Sequence, residues 1–197
     1  MALHTVRQTA RLVLFGAMLF VAACKIEVVG AAEDGRFFTI KNANTRLVEN
    51  VFRLNAEIDF RLSEEAKEAL GNGVPLVLEI QIQVLRVRPW LWNTVIATLT
   101  QRYRLQYHAL SQRYLVKNLN TGVQSNFRSL DEVLRTAGTL NDFPMLDRNI
   151  LETAQLYIGK MRADLDIEAL PTPIRLWAYS STKWRLGSEW YQWQLRF

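Results

Sequence analysis

Apolar and polar residues alternate along most of the chain beyond residue 50, and a period of two is that of β-strands with one buried face. The clearest run lies at 52–62, where every second residue is apolar: Phe52, Leu54, Ala56, Ile58, Phe60 and Leu62. A second run, 76–87, changes phase at Leu85, which predicts a β-bulge. The same alternation predicts further strands at 94–108, 114–119, 123–127, 156–168 and 191–197.

Two short helices interrupt the strands. Ser63 followed by two glutamates provides the capping residue and the acidic first turn of a helix, and the glycines within 71–73 can end it. Ser129 and Glu132 have the spacing of a capping box, and Gly138 ends the apolar helical pattern that follows them. Both segments are therefore predicted to be helical.

The segment from 146 to 167 fits both periods, so we divide it. One or two helical turns are predicted near 148–155, and a strand follows from about 156 to 168. Two prolines, Pro171 and Pro173, are predicted to end that strand and to begin an extended segment over 174–179. Together these elements predict a mainly β fold, an antiparallel β-sandwich of about eight strands with two or three short helices.

The N-terminal segment has the order of an export signal. Arg7 and Arg11 precede an almost entirely apolar stretch, 12–23, and no acidic residue occurs before Cys24. This stretch is too short for a transmembrane helix, which needs about 20 apolar residues. We therefore predict a signal peptide over 1–23 and a single β-sandwich domain over 24–197, located in the periplasm.

Three fates of this signal remain open. The residues Val-Ala-Ala-Cys at 21–24 are similar to a bacterial lipobox, in which the cysteine is acylated and becomes the mature N-terminus, so Cys24 is the candidate lipidation site. Ordinary cleavage near Ala31 and an uncleaved anchor are the alternatives. Because Lys25 rather than an aspartate follows the cysteine, an acylated form is predicted to be an outer-membrane lipoprotein.

Composition excludes several kinds of chemistry. Cys24 is the only cysteine, so a disulfide within the chain is excluded, and zinc sites and thiol dyads lack their ligands. Loss of residues 1–23 removes two arginines and lowers the net charge from +5 to +3, which is a mild value. The predicted location argues against nucleic-acid binding, and the sequence contains no cofactor motif.

Three residues are candidates for catalysis. His108 is the only histidine after the signal segment and lies at the end of a predicted strand. Asp164 and Asp166 are two residues apart on the predicted outward face of another strand, where two carboxylates can share a proton or a cation. Lys160 and Arg162 lie on the same predicted face, which favours the interpretation of a solvated ionic surface.

Tryptophan gives the stronger indication of function. Trp90 and Trp92 flank Leu91 in a predicted turn, where a tryptophan can anchor a protein, lie among lipid headgroups or stack on a sugar ring. The alternative is a ring that fills the core, which we favour for Trp184 and Trp193. Arginines close in sequence could add a cationic rim, although the favoured interpretation for them is the polar face of two sheets. The predicted interaction surface consists of Trp90, Trp92, Arg86, Arg88, Arg102 and Arg104.

Several segments together resemble one known family. They are Ala-Leu-Gly-Asn-Gly-Val-Pro-Leu at 69–76, Arg-Tyr-Arg-Leu-Gln-Tyr-His-Ala-Leu-Ser at 102–111, Leu-Pro-Thr-Pro-Ile-Arg at 170–175 and Ser-Glu-Trp-Tyr-Gln-Trp at 188–193. They resemble the proteobacterial family called domain of unknown function 4390, over nearly the whole chain after Lys25. The resemblance implies an exported or envelope-tethered protein with no assigned activity, often encoded beside a nitrogen-regulation-type sensor histidine kinase. It brings no catalytic residues.

Two hypotheses about function follow. The favoured one is a non-catalytic binding module in the periplasm, linked to a sensor histidine kinase system. Through Trp90, Trp92 and the nearby arginines it would bind an envelope protein, a lipid headgroup or a glycan. The alternative is a hydrolase or transferase that acts on envelope material through Asp164, Asp166 or His108, which requires these groups to converge in one cleft.

Overall fold

A computed structural model describes residues 37–196, and the predicted signal peptide, 1–23, and lipidation site, Cys24, lie outside the described residues. The described part contains nine β-strands, three α-helices and three 3-10 helices. The strands are β1 Phe38–Val48, β2 Val51–Phe60, β3 Leu76–Arg86, β4 Thr94–His108, β5 Arg113–Asn118, β6 Gln124–Phe127, β7 Thr139–Asp147, β8 Tyr157–Leu165 and β9 Tyr191–Gln194. The helices are α1 Glu64–Gly71, α2 Leu130–Gly138 and α3 Thr172–Ser180, with 3-10 helices at Arg148–Ile150, Ile167–Ala169 and Thr182–Trp184.

The strands form two antiparallel sheets that share one core. The strand order is β1-β2-β7 in the three-stranded sheet and β6-β5-β4-β3-β8-β9 in the six-stranded sheet. The inward rows of β2 and β3, which include Phe52, Leu54, Leu78 and Ile80, belong to a single cluster of buried residues. The predicted fold class, a mainly β antiparallel sandwich with short helices, is confirmed.

Capping geometry confirms both predicted helix starts. The Ser63 hydroxyl accepts a hydrogen bond from the Ala66 backbone N–H at 3.2 Å. The Ser129 hydroxyl accepts one from the Glu132 N–H at 3.2 Å, and the Glu132 carboxylate accepts one from the Arg128 N–H at 3.3 Å. Each cap satisfies an amide that the first helical turn leaves without an intrahelical partner.

The hairpin of β3 and β4 follows the predicted pattern closely. β4 spans Thr94–His108, which is the predicted range. β4 carries one extra residue, Ile96, opposite the step from Val84 to Leu85, so the predicted bulge is present but its additional residue belongs to β4. β3 stays in register with β8, and Leu85 therefore turns to the outer face of the sheet.

Irregular pairing explains why the alternation pattern did not predict strands β1 and β7. The register of β1 shifts between Ile40 and Asn42, and that of β7 shifts twice against β2. Each shift breaks the period of two on which strand prediction depends. The helical turns predicted at 148–155 reduce to the single 3-10 helix Arg148–Ile150.

The extended segment predicted at 174–179 is wrong, because this stretch lies in helix α3. Pro173 occupies the first turn of the helix, where a missing N–H removes no intrahelical hydrogen bond. Ile174 packs against the core and Ala178 is buried, and their separation of four residues places them on one helix face. The proline therefore begins this helix rather than preventing it.

Asp142 joins the three strands of the smaller sheet through two arginines. Its carboxylate lies 2.8 Å from the Arg46 guanidinium and 2.9 Å from that of Arg53. The backbone at Asp142 is left-handed, with φ of +53°, a conformation that aspartate tolerates better than most residues. The hydrogen bond from Arg46, followed by the charge of Arg53, lowers the pKa of the Asp142 carboxyl below its usual value.

The two ends of the six-stranded sheet differ, and we name them the helical end and the hairpin end. The described chain begins at the helical end, where the Arg61 N–H donates to the Phe37 carbonyl at 2.7 Å, three residues before α1. α3 and the 3-10 helix Thr182–Trp184 lie beside α1. From α1 the chain enters β3, which runs to the hairpin end over about 33 Å.

Candidate functional site

The turn between β3 and β4, residues 87–93, holds two tryptophans in solvent, and we call it the Trp turn. Pairing of the strands ends where Arg86 faces Thr94, so the turn projects beyond the sheet. The relative exposure is 101% for Trp90, 93% for Trp92 and 68% for Leu91. Tryptophan is on average a highly buried residue, so two fully exposed rings in one turn call for an explanation other than core packing.

Trp90 has a backbone conformation that large side chains rarely adopt. Its φ is +67°, in the left-handed region, where a side chain with a Cβ costs roughly 1–2 kcal/mol. Glycine fits such a position without that cost. Backbone strain at an exposed side chain is typical of binding sites, where the arrangement of the side chain matters more than stability.

Exposed apolar residues also occur at the base of the Trp turn. Val95 on β4 is 49% exposed, and Leu156, just before β8, is 71% exposed. The Leu156 carbonyl accepts a hydrogen bond from the Val87 N–H at 2.9 Å, which fixes its backbone beside the turn. Clustered apolar side chains in solvent are typical of surfaces that bind a partner.

The four arginines of the predicted cationic rim lie in two separate regions of the structure. Arg86 lies at the base of the Trp turn and binds Glu152 at 2.7 Å, and Arg88 lies exposed within the turn. Arg102 lies eight residues along β4 from Thr94, or about 27 Å. Arg104 lies two residues farther along the same strand. Only the first two arginines can therefore act together with Trp90 and Trp92.

Only Asp164 belongs to the strand on which both aspartates were predicted, because β8 ends at Leu165. Asp164 is the penultimate residue of β8 and pairs with Arg162 at 3.0 Å, and its burial raises the pKa of its carboxyl. Asp166 follows the end of β8, caps the 3-10 helix Ile167–Ala169 and binds Arg102. Each carboxylate thus has its own arginine.

His108 lies away from both aspartates. It ends β4, where it is exposed and its Nδ1 lies 3.2 Å from the Ser111 hydroxyl. Six residues of β4, about 20 Å, separate it from Arg102, which binds Asp166. The alternative hypothesis requires the three candidates for catalysis to converge in one cleft. They are therefore not arranged as that hypothesis requires.

The described residues contain neither a group of metal ligands nor a membrane-spanning helix. Between 37 and 196, no three or more His, Cys, Asp or Glu side chains are grouped in a way that could hold a metal ion. None of the helices in this part of the chain has both the length and the apolar character needed to cross a membrane.

Three of the remaining tryptophans lie in or against the packed domain. Trp184 is buried, as predicted, and Trp193 is half-buried with its ring packed against Gly159. The Trp190 ring lies 5.3 Å from the Lys160 ammonium and 5.1 Å from the Arg162 guanidinium, within the range of cation–π attraction. These rings are parts of the packed domain and its ionic face, unlike those of the Trp turn.

The structure also shows an exposed aromatic surface that the sequence pattern did not identify. Helix α3 exposes Leu176, Trp177 and Tyr179. A groove of about 540 Å³ lies between α1 and α3, and its wall includes Trp177 and the buried Trp184. The spacing of four residues between Ile174 and Ala178 could have indicated a helix, but Pro171 and Pro173 favoured an extended segment.

Comparison with known proteins identifies a family and nothing narrower. No curated protein and no solved structure gives a significant match to the chain. One family model, described as a domain of unknown function, matches residues 36–194. That range contains both sheets, all three described α-helices and the Trp turn. The chain therefore belongs to the family of this domain of unknown function, DUF4390.

Proposed function

We propose that this protein is a non-catalytic binding module of the bacterial cell envelope, exported to the periplasm, which binds a protein partner through the Trp turn. The observation that carries the proposal is the full exposure of Trp90 and Trp92 on a strained turn. Such an arrangement costs stability in the isolated chain, and a bound partner would supply the contacts that offset this cost.

A protein partner accounts for the composition of the turn better than a lipid or a glycan does. Tryptophan and arginine are the residues most enriched at the energetic centres of protein interfaces, and here Trp90, Trp92 and Arg88 occur within one short turn. The turn also projects beyond the sheet, so both rings can enter pockets on an opposing surface. The hairpin holds them in place before binding, which lowers the entropy lost on association.

The position of the Trp turn supports the same choice. The described chain begins at the helical end, and the Trp turn lies about 33 Å away at the hairpin end. An anchor formed by residues before Phe37, whether an acylated Cys24 or an uncleaved signal, would attach at the helical end. An attachment at the helical end leaves the Trp turn, at the other end of the sheet, accessible to proteins of the periplasm.

A photoreactive amino acid at position 91, introduced in living cells, tests the proposal. Leu91 is exposed between the two tryptophans, so its replacement leaves the core intact. We expect cross-linking to one defined protein, and we expect the same residue at position 121, exposed in the β5–β6 turn, to give no such product. Adducts with lipid or glycan alone, or no product at either position, would reject the protein partner.

The family resemblance indicates which partner to examine first. Because it implies a link to a sensor histidine kinase, the periplasmic part of such a kinase is the first candidate for direct binding. Isothermal titration with the purified kinase domain should show binding by the wild-type protein and none by a Trp90→Ala/Trp92→Ala variant. A Trp177→Ala variant, which also removes an exposed tryptophan but at the helical end, should bind like wild type.

A further inference from the structure

Helix α3 exposes an apolar face that no other element in residues 37–196 covers. Leu176 is 67% exposed, Trp177 78% and Tyr179 47%, whereas Ala178 is buried on the opposite face. A surface helix of a globular domain normally turns polar residues toward solvent. We call Leu176, Trp177 and Tyr179 the α3 face.

Hydrogen bonds fix the orientation of this face. The Arg175 guanidinium donates twice to the Leu170 carbonyl, at 3.1 and 2.9 Å, which ties the first turn of α3 to a residue two positions before the helix. The Tyr179 hydroxyl donates to the Glu168 carboxylate. Because the helix is held at both its beginning and its end, the α3 face is presented without a further ordering cost.

Charges around the α3 face are nearly balanced. Lys183 is paired with Glu65 of α1. Arg175 of α3 lies 3.9 Å from Glu168, a residue of opposite charge, and Glu68 is exposed in the groove that Trp177 also lines. Neither an anionic nor a cationic partner is therefore strongly attracted, and the chemistry of the face favours an apolar occupant.

The length of the preceding chain, and the end of the domain at which it joins, indicate that occupant. Residues 1–36, which include the apolar stretch 12–23 and Cys24, join the domain at Phe37. The Phe37 carbonyl is bonded to Arg61, at the helical end where α3 lies. The twelve residues 25–36 span at most about 40 Å when extended. Whatever membrane holds the N-terminal segment is therefore within reach of the α3 face.

We propose that the α3 face rests on a phospholipid bilayer, with Leu176 and Trp177 at the boundary between headgroups and acyl chains. Tryptophan and tyrosine concentrate at this depth of a bilayer, and short helices with an apolar face lie parallel to its surface. This contact is separate from the Trp turn, which lies at the other end of the sheet. Since the charges near α3 are balanced, the contact does not depend on anionic lipid.

Quenching of tryptophan fluorescence by dibrominated phosphatidylcholine tests this contact in the full chain reconstituted with vesicles. We expect part of the wild-type emission to be quenched, and Trp177→Phe to lose most of that quenched part because the ring at the bilayer is the one removed. Trp90→Phe/Trp92→Phe is the matched control and should leave the quenched part unchanged. Adding phosphatidylglycerol should have little effect.

A second variant tests docking rather than the fluorophore. Leu176→Glu places a charge on the α3 face at a residue that is already exposed, so folding is retained. We expect it to raise the lipid concentration needed for half-maximal quenching about tenfold. No quenching in the wild type, quenching that depends on Trp90 and Trp92 instead, or an unchanged lipid requirement in Leu176→Glu would each overturn the proposal. None of these results would affect cross-linking from position 91.

Discussion

Replacing Trp90 with glycine is expected to stabilise the fold and to weaken binding of the partner. Because these two effects have opposite signs, the substitution separates binding from folding. A φ of +67° costs about 1–2 kcal/mol for a residue with a Cβ. Glycine loses about 0.5–1 kcal/mol more chain entropy on folding than other residues do. The difference predicts a gain of about 0–1.5 kcal/mol in the free energy of unfolding; its centre, roughly 0.75 kcal/mol, corresponds to a rise of about 2–3 °C in Tm.

The same substitution removes a ring from the proposed interface. A buried tryptophan contributes apolar area of roughly 200 Å², and its truncation at an interface centre typically costs about 2 kcal/mol or more. For Trp90→Gly we therefore expect the Kd for the partner cross-linked at position 91 to rise at least about 30-fold. Thermal unfolding followed by circular dichroism gives the stability, and titration calorimetry gives the Kd.

Gln112 provides a matched control for the backbone effect. It is exposed in the β4–β5 turn and has a left-handed φ of +50°. Gln112→Gly should give a similar rise in Tm and leave the Kd unchanged. A lower Tm for Trp90→Gly would show that the ring packs in the folded chain, and an unchanged Kd would refute the Trp turn as the binding site.

Three further predictions concern packing, pH and processing. A Cβ on Gly138 would lie 2.2 Å from the Ile58 carbonyl oxygen, so Gly138→Ala should lower stability in urea by about 1–3 kcal/mol, whereas Gly71→Ala, with open space around it, should not. Because the pKa of Asp142 is lowered in the folded chain, its ionised carboxylate stabilises the fold at pH values above the ordinary aspartate pKa. This contribution is lost as the pH falls through the lowered pKa. In Asp142→Asn, the urea midpoint should therefore fall less on acidification. Intact mass should show acyl chains on Cys24 that Cys24→Ala lacks; a mature chain starting near Ala32 would end the lipoprotein hypothesis.

Helices and strands that are determined by residues close together in the sequence could be predicted from it. The range of β4 and the caps at Ser63 and Ser129 follow from alternation and from capping chemistry, both of which act over a few residues. β7 could not be predicted in the same way, because its two register shifts are fixed by pairing with β2, far away in sequence. The helical conformation of α3 could not be predicted either. It depends on which side of the segment is buried, and the core that the segment contacts determines that side.

The candidate site shows the same division. Exposure of Trp90 and Trp92 was predictable, since a turn after a proline at a hairpin end leaves no sheet for the rings to cover. The assignment of Arg102 and Arg104 to the same surface failed because closeness in sequence does not give closeness in space along a strand. Each residue of β4 adds about 3.3 Å, so ten residues separate two groups by about 33 Å, which is close to the full width of a domain of this size.

The separation of the Trp turn from the α3 face limits how both proposed contacts can be made at once. The two surfaces lie at opposite ends of β3, about 33 Å apart. With the α3 face on a bilayer, the Trp turn would therefore lie roughly that far above it, beyond the headgroups of the same membrane. A partner bound there must extend some 30 Å into the periplasm or belong to the opposite membrane. A partner whose binding surface lies at the headgroups would be incompatible with simultaneous contacts, and one of the two proposals would have to be abandoned.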